Sequence, residues 1–150
     1  MPERRLGFPT DMDITDALAY FADKRDTVLV TTRRDGRPQL SNIWSKVGDD
    51  GIIRISATAD RAKTQNAVRN PQVSLYATAD GFGSYVVIDG TASVTPEAAD
   101  PHDATVDALM ALYKSFGVEH PNWDDYRTAM VGERRVVISI TPTHAYGRMV

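Results

Sequence analysis

Thr27-Val28-Leu29-Val30-Thr31-Thr32, then Arg34-Asp35-Gly36-Arg37, then Pro38 through Val47 is the stretch that decides the fold. The first run is β-branched and apolar, which suits a pleated, half-buried surface. Asp-Gly at its end is a strong hairpin signal, because glycine accepts the positive φ that tight turns need. The returning strand from Pro38 to Val47 meets a second turn at Gly48-Asp49-Asp50-Gly51, and Ile52-Ile53-Arg54-Ile55-Ser56-Ala57 makes a third strand. Together they predict a β-meander.

Working outward, the same patterning recurs. Val73-Ser74-Leu75-Tyr76-Ala77 reads as a strand, and a turn at Asp80-Gly81-Phe82-Gly83 leads to a long strand from Ser84 to Thr95 that Gly90 bends or bulges. Arg135-Val136-Val137-Ile138-Ser139-Ile140 is the last strand, bounded by Thr141-Pro142. Four helical segments accompany these runs. One starts at Asp13 as cap, carries Ile14, Ala17, Leu18 and Phe21 at helical spacing, and ends near Lys24-Arg25. Another spans Asp60 to Asn70 with Asp60 as cap and Pro71 beyond. Val106, Leu109, Met110 and Tyr113 mark a third, with Leu112 and Phe116 widening its apolar face, and Trp123, Tyr126 and Met130 a shorter fourth. Six antiparallel strands with peripheral helices predict a mainly β, α+β barrel or sandwich. Residues 1–12 read as an N-terminal arm and 13–150 as one domain.

Bulk properties narrow the function. The net charge of −3, with acidic and basic residues interspersed, excludes the broad basic surface of a nucleic-acid binder. The chain has no cysteine, so disulfides, thiolate nucleophiles and iron–sulfur clusters are excluded. No apolar run approaches the roughly 20 residues of a membrane span, and Met1 to Pro9 lacks the apolar core of a signal peptide. A cytoplasmic protein without membrane partners is expected.

A search for catalytic groups returns little. His102, His120 and His144 are far apart, with no metal-ligand spacing and no GxSxG elbow nearby. The reactive atom of an enzyme built this way comes from a cofactor. One segment suits an anionic ligand: Ser56-Ala57-Thr58-Ala59-Asp60-Arg61-Ala62-Lys63-Thr64-Gln65-Asn66. A strand ends and a helix begins there, freeing backbone N–H groups, while Arg61 and Lys63 bring cations to a turn that ordinarily favours anions. From the segment alone, a solvated helix face with ordinary basic residues is the favoured reading. In Pro38 to Trp44, alternation puts Gln39, Ser41 and Ile43 on one strand face and Leu40, Asn42 and Trp44 on the other. Tyr85 opens the long strand, where it either packs or reaches a ligand.

In this order, Asp35-Gly36-Arg37-Pro38-Gln39-Leu40-Ser41-Asn42, Arg61-Ala62-Lys63-Thr64-Gln65-Asn66, Asp89-Gly90-Thr91-Ala92, Trp123-Asp124-Asp125-Tyr126-Arg127, Arg134-Arg135-Val136 and His144-Ala145-Tyr146-Gly147 resemble the pyridoxamine-phosphate-oxidase-like split-barrel family. Within it the chain is most similar to the small enzymes that use the deazaflavin coenzyme F420. The resemblance implies a six-stranded split β-barrel and a homodimer with cofactor sites at the interface. It implies that Arg61, Ala62 and Lys63 grip the cofactor phosphate with Ser56 and Asn66 in support. Gln39, Ser41 and Asn42 would lie along the ring and its ribityl chain, with Tyr85 supplied by the opposite subunit. The chain departs from its relatives at Gly83, where an aromatic residue is usual; Phe82 stands one place earlier. The implied activity is hydride transfer from reduced F420 to an electron-poor small molecule. The alternatives are an FMN-dependent oxidase of pyridoxamine or pyridoxine phosphate and a carrier of flavin, deazaflavin or tetrapyrrole without turnover.

Overall fold

The computed structural model describes residues 10–149. Its strands are β1 (Thr10–Asp11), β2 (Asp26–Thr32), β3 (Pro38–Trp44), β4 (Lys46–Val47), β5 (Ile53–Thr58), β6 (Gln72–Thr78), β7 (Tyr85–Val94) and β8 (Arg135–Arg148). Its helices are α1 (Ile14–Ala22), α2 (Ala62–Arg69), α3 (Ala104–Ser115) and α4 (Trp123–Gly132). The antiparallel path runs β3-β2-β6-β7-β8-β5-β4. Its two edges, β3 and β4, are consecutive in the chain and are separated by Ser45 alone, so the sheet closes on itself through one bent strand. Counted that way, the six expected strands are present, and β1 is a two-residue addition to β8.

Period-two alternation explains the layers. Leu29, Ile53, Ile55, Leu75, Val86, Ile88, Ile138 and Ile140 face inward and are fully or almost fully buried. Ala17 and Phe21 of α1 and Ala67 of α2 join this core. On the opposite face of β8, Val137 packs with Val106, Leu109, Tyr126 and Met130, so α3 and α4 lie on the outside of the barrel over their own small core.

Several boundaries differ from expectation. The first residue of α2 is Ala62 and its N-cap position is Arg61, not Asp60; a two-residue turn after Thr58 intervenes, with the Arg61 N–H bonded to the Thr58 carbonyl. The α1 helix stops at Ala22, short of Lys24-Arg25. The last strand does not stop at Thr141-Pro142 but runs to Arg148. Pro142 is carried because it lies opposite Gly90, where a bulge between Asp89 and Gly90 shifts the register and a missing N–H is tolerated. Gly90 serves close approach: a Cβ there would sit 2.6 Å from Ile140 Cγ2. Of the N-terminal arm, Thr10 and Asp11 pair with Gly147 and Tyr146 of the same chain; residues 1–9 lie outside the described residues.

Candidate functional site

A cavity of about 660 Å³ lies between the outer surface of the sheet and the α3–α4 layer, within the range of small-ligand sites. Its sheet wall presents Val28, Asn42, Ser56, Tyr76 and Arg135, and Lys63 reaches it from the first turn of α2. The facing wall is apolar and aromatic: Leu109, Leu112 and Tyr113 of α3, Phe116 just after it, and Tyr126 and Met130 of α4. At the rim, Trp44 and Phe116 approach to 5.6 Å between ring centroids, and the Arg25 guanidinium lies 4.0 Å over the Trp44 ring. One wall is thus flat and apolar, and the other carries cations and amide or hydroxyl groups.

Lys63 is half-buried. Burial holds its amine below the usual lysine value, and the charges of Arg61 and Arg135 push the same way. Three cations therefore gather at this end of the cavity. Arg135 donates Nη1 to Ser56 Oγ at 3.3 Å and pairs Nη2 with Glu133 at 3.1 Å. Tyr126 is not a proton source: burial pushes its hydroxyl up to about 12, and it donates to the Leu109 carbonyl, tying α4 to α3.

The residues singled out in the sequence separate into three places. Asn42, Ser56 and Lys63 line the large cavity, with Arg61 exposed at the N-terminus of α2 beside Lys63. Ala62 and Asn66 fall on the other flank of α2, in a shallow groove with Arg33, Arg34 and Arg69. Asn66 is buried with both ends of its amide engaged, Nδ2 donating to Thr31 Oγ1 at 3.2 Å and Oδ1 accepting from Arg69 at 2.7 Å. It seats the helix on β2 and does not line the cavity of Lys63 and Arg135. Gln39 and Ser41 pair with the inward-facing Thr31 and Leu29, and neither lines the cavity that Asn42 lines. Tyr85 pairs with Thr78 on the cavity side of the sheet and stacks on Tyr76, 5.9 Å between centroids, but does not itself line the cavity of its own chain. Phe82 is 80% exposed.

Sequence reasoning missed Arg135 and the α3–α4 wall. Arg135 enters the sequence reading only as the first residue of the last strand and as part of the Arg134-Arg135-Val136 motif, with no binding role attached. Leu109, Leu112 and Phe116 carry the helical period of any core-facing helix, and nothing in that period says that part of the face borders a cavity.

Comparison with known proteins identifies the fold and the family. The family model for pyridoxamine 5'-phosphate oxidase matches residues 14–149. Among solved structures, an F420 reductase is similar at 24% identity and TM-score 0.59, over 80% of this chain and 87% of that one. A conserved hypothetical protein of Mycobacterium tuberculosis aligns at 21% identity and TM-score 0.68, over 89% and 82%. A conserved protein of unknown function from Corynebacterium diphtheriae aligns at 16% identity and TM-score 0.61, over 93% and 95%. At these identities the structures share the fold, the closed antiparallel barrel described above, while the family model covers nearly the whole domain. The chain belongs to the pyridoxamine 5'-phosphate oxidase family of split β-barrels.

Proposed function

We propose that this protein is an oxidoreductase that binds a flavin-type cofactor, with reduced F420 as the hydride donor to an electron-poor small molecule. The observation that carries the reading is the two-sided cavity. A phosphate-bearing planar cofactor needs cations at one end and a flat apolar surface along its ring, and Lys63, Arg61 and the α3–α4 wall are arranged for both. The orphaned positive charge around Lys63 fits an anionic group, because a carboxylate or phosphate there would relieve the mutual repulsion of the cations.

The bound cofactor supplies the hydride chemistry. Lys63 and Arg61 would hold the phosphate, Ser56 and Asn42 would offer hydrogen bonds along the polar wall, and Leu109, Leu112 and Phe116 would exclude water from the ring and from the acceptor beside it. Orientation of two reactants in a dry slot is the protein's contribution to rate. Asn66 supports this indirectly by seating α2. A homodimer with Tyr85 supplied by the opposite subunit belongs to the same proposal, as does a cytoplasmic location; among the described residues no helix is long and apolar enough to cross a membrane.

A side-by-side titration tests the cofactor. F420 fluorescence should be quenched or shifted at micromolar protein, with FMN binding more weakly, and reduced F420 should be oxidised on addition of a quinone or a tetrapyrrole. Tighter binding of FMN would replace the deazaflavin reading with the oxidase one. Binding without turnover would leave a carrier.

A further inference from the structure

Arg135 stands at the start of β8, opposite Thr58 in the β5–β8 register. Thr58 is the last residue of β5, from which the chain turns into α2. The described residues include two buried side-chain polar atoms without a hydrogen-bond partner, and they are Arg135 Nε and Thr58 Oγ1. Both belong to this one cross-strand pair. A buried guanidinium N–H without an acceptor is unfavourable, and here it sits beside two further cations, with Lys63 lining the same cavity.

The backbone around Arg135 is held in place from both sides. Arg134 adopts a positive φ of 56° as the chain leaves α4, a conformation that a non-glycine residue seldom takes. Its carbonyl accepts the Ala59 N–H at 2.8 Å. Its guanidinium grips Glu97 through Nε at 2.6 Å and Nη2 at 3.2 Å. Position 135 is therefore anchored to the loop that launches α2 before any ligand arrives. Glu133 pairs with Arg135 through Nη2 and Ser56 accepts from Nη1, so both terminal nitrogens that reach the cavity side already hold a protein acceptor, while Nε stays enclosed without one.

We infer that Arg135 is a third cation of the anion site, that its terminal guanidinium nitrogens, which hold Ser56 and Glu133, take the phosphate of the ligand together with Lys63, and that Glu133 is a built-in anion competing for the same guanidinium. The identity of the ligand rests on the flavin-type reading above; the site itself rests on this chain's own geometry. A phosphate ester suits it because it is acceptor-rich, charged, and able to receive a guanidinium edge, an ammonium and a hydroxyl at once.

The test uses matched ligand pairs: FMN with riboflavin, and F420 with its phosphate-free deazariboflavin, each titrated by fluorescence against wild type, Arg135→Gln, Arg135→Lys and Glu133→Gln. Arg135→Gln should weaken the phosphate-bearing member about tenfold or more, the scale of a charge-assisted hydrogen bond, while moving its phosphate-free partner less than about twofold. Arg135→Lys should recover part of the loss, and Glu133→Gln should tighten the phosphate-bearing member by about two- to fivefold. Equal effects on both members of a pair, or no effect of either substitution, would overturn the inference and leave the cofactor reading standing. If wild type binds none of the four molecules, the cofactor reading falls. Thermal shift with inorganic pyrophosphate then decides. A rise in midpoint for wild type that is lost in Arg135→Gln supports the site, and no rise overturns it. Should Arg135→Gln fail to fold, Arg135→Lys and Glu133→Gln carry the same comparison with effects of opposite sign.

Discussion

Thr27 Oγ1 and Ser45 Oγ lie 2.8 Å apart, both buried, at the bend where β3 becomes β4. The Ser45 N–H is bonded at the same point to the Arg25 carbonyl at 2.9 Å. This is where the sheet's two edges become one strand, so a single side-chain hydrogen bond sits at the closure of the barrel. Ser45→Ala strands the Thr27 hydroxyl and should lower stability by about 1–3 kcal/mol. Combining it with Thr27→Val removes both partners and should recover much of that loss. Urea unfolding of the two single variants and the double variant checks the expectation; strictly additive losses would contradict it.

The Asn66 amide joins β2 to α2, with Nδ2 on Thr31 and Oδ1 on Arg69, and lies outside the large cavity. Asn66→Ala should destabilise the fold by about 1–3 kcal/mol by stranding the buried Thr31 hydroxyl. Affinity of the folded protein for F420 or FMN should change little. Unfolding curves and a cofactor titration separate the two effects, and a large loss of affinity at full folding would return Asn66 to the binding site.

Lys63 should show opposite effects on stability and binding. Burial, reinforced by Arg61 and Arg135, holds its amine below the ordinary value of 10.5, so at neutral pH the folded state carries a charge that it disfavours. Lys63→Met should raise the thermal midpoint of the ligand-free protein, with the gain shrinking as pH approaches 10.5. The same substitution should weaken cofactor binding by roughly 1.5–3 kcal/mol, the range for a hydrogen bond to a charged group. Scanning calorimetry and fluorescence titration on one preparation test both halves.

His144 lies between two carboxylates, with Nδ1 3.2 Å from Asp89 and Nε2 3.0 Å from Asp11. Both ring nitrogens can donate only in the imidazolium, and the hydrogen bonds to Asp89 first and Asp11 second raise its value above 6.5. The folded value exceeds the unfolded one, so the stabilisation is complete below 6.5 and is lost as pH rises through the raised value. The pairing holds β1 against β8, and Tyr146 is the other titratable ring nearby, 6.0 Å away. His144→Gln should flatten this part of the curve of midpoint against pH, and an unchanged curve would remove His144 as its source.

Much of the barrel was legible because its strands carry their own period. Leu29, Ile53, Ile55 and Leu75 alternate with solvent-side residues, and Asp35-Gly36 and Gly48 to Gly51 mark turns by backbone chemistry alone. The end of β8 was not legible. Pro142 reads as a stop in any local window, and it is admitted only because Gly90, 52 positions away in the chain, opens a bulge opposite it.

The sequence by itself determined the strand and helix order, the family, and the Arg61–Lys63 pair as a candidate anion site, because each is written in local periodicity or in ordered motifs. Tertiary structure decided which side chains share a cavity. It turned Asn66 onto β2, where Thr31 and Arg69 engage its amide, and left it outside the cavity that Lys63 lines. It also brought Arg135 beside Ser56 and Thr58, 79 and 77 positions away in sequence. Strand pairing makes that juxtaposition, and no local pattern in the chain records it.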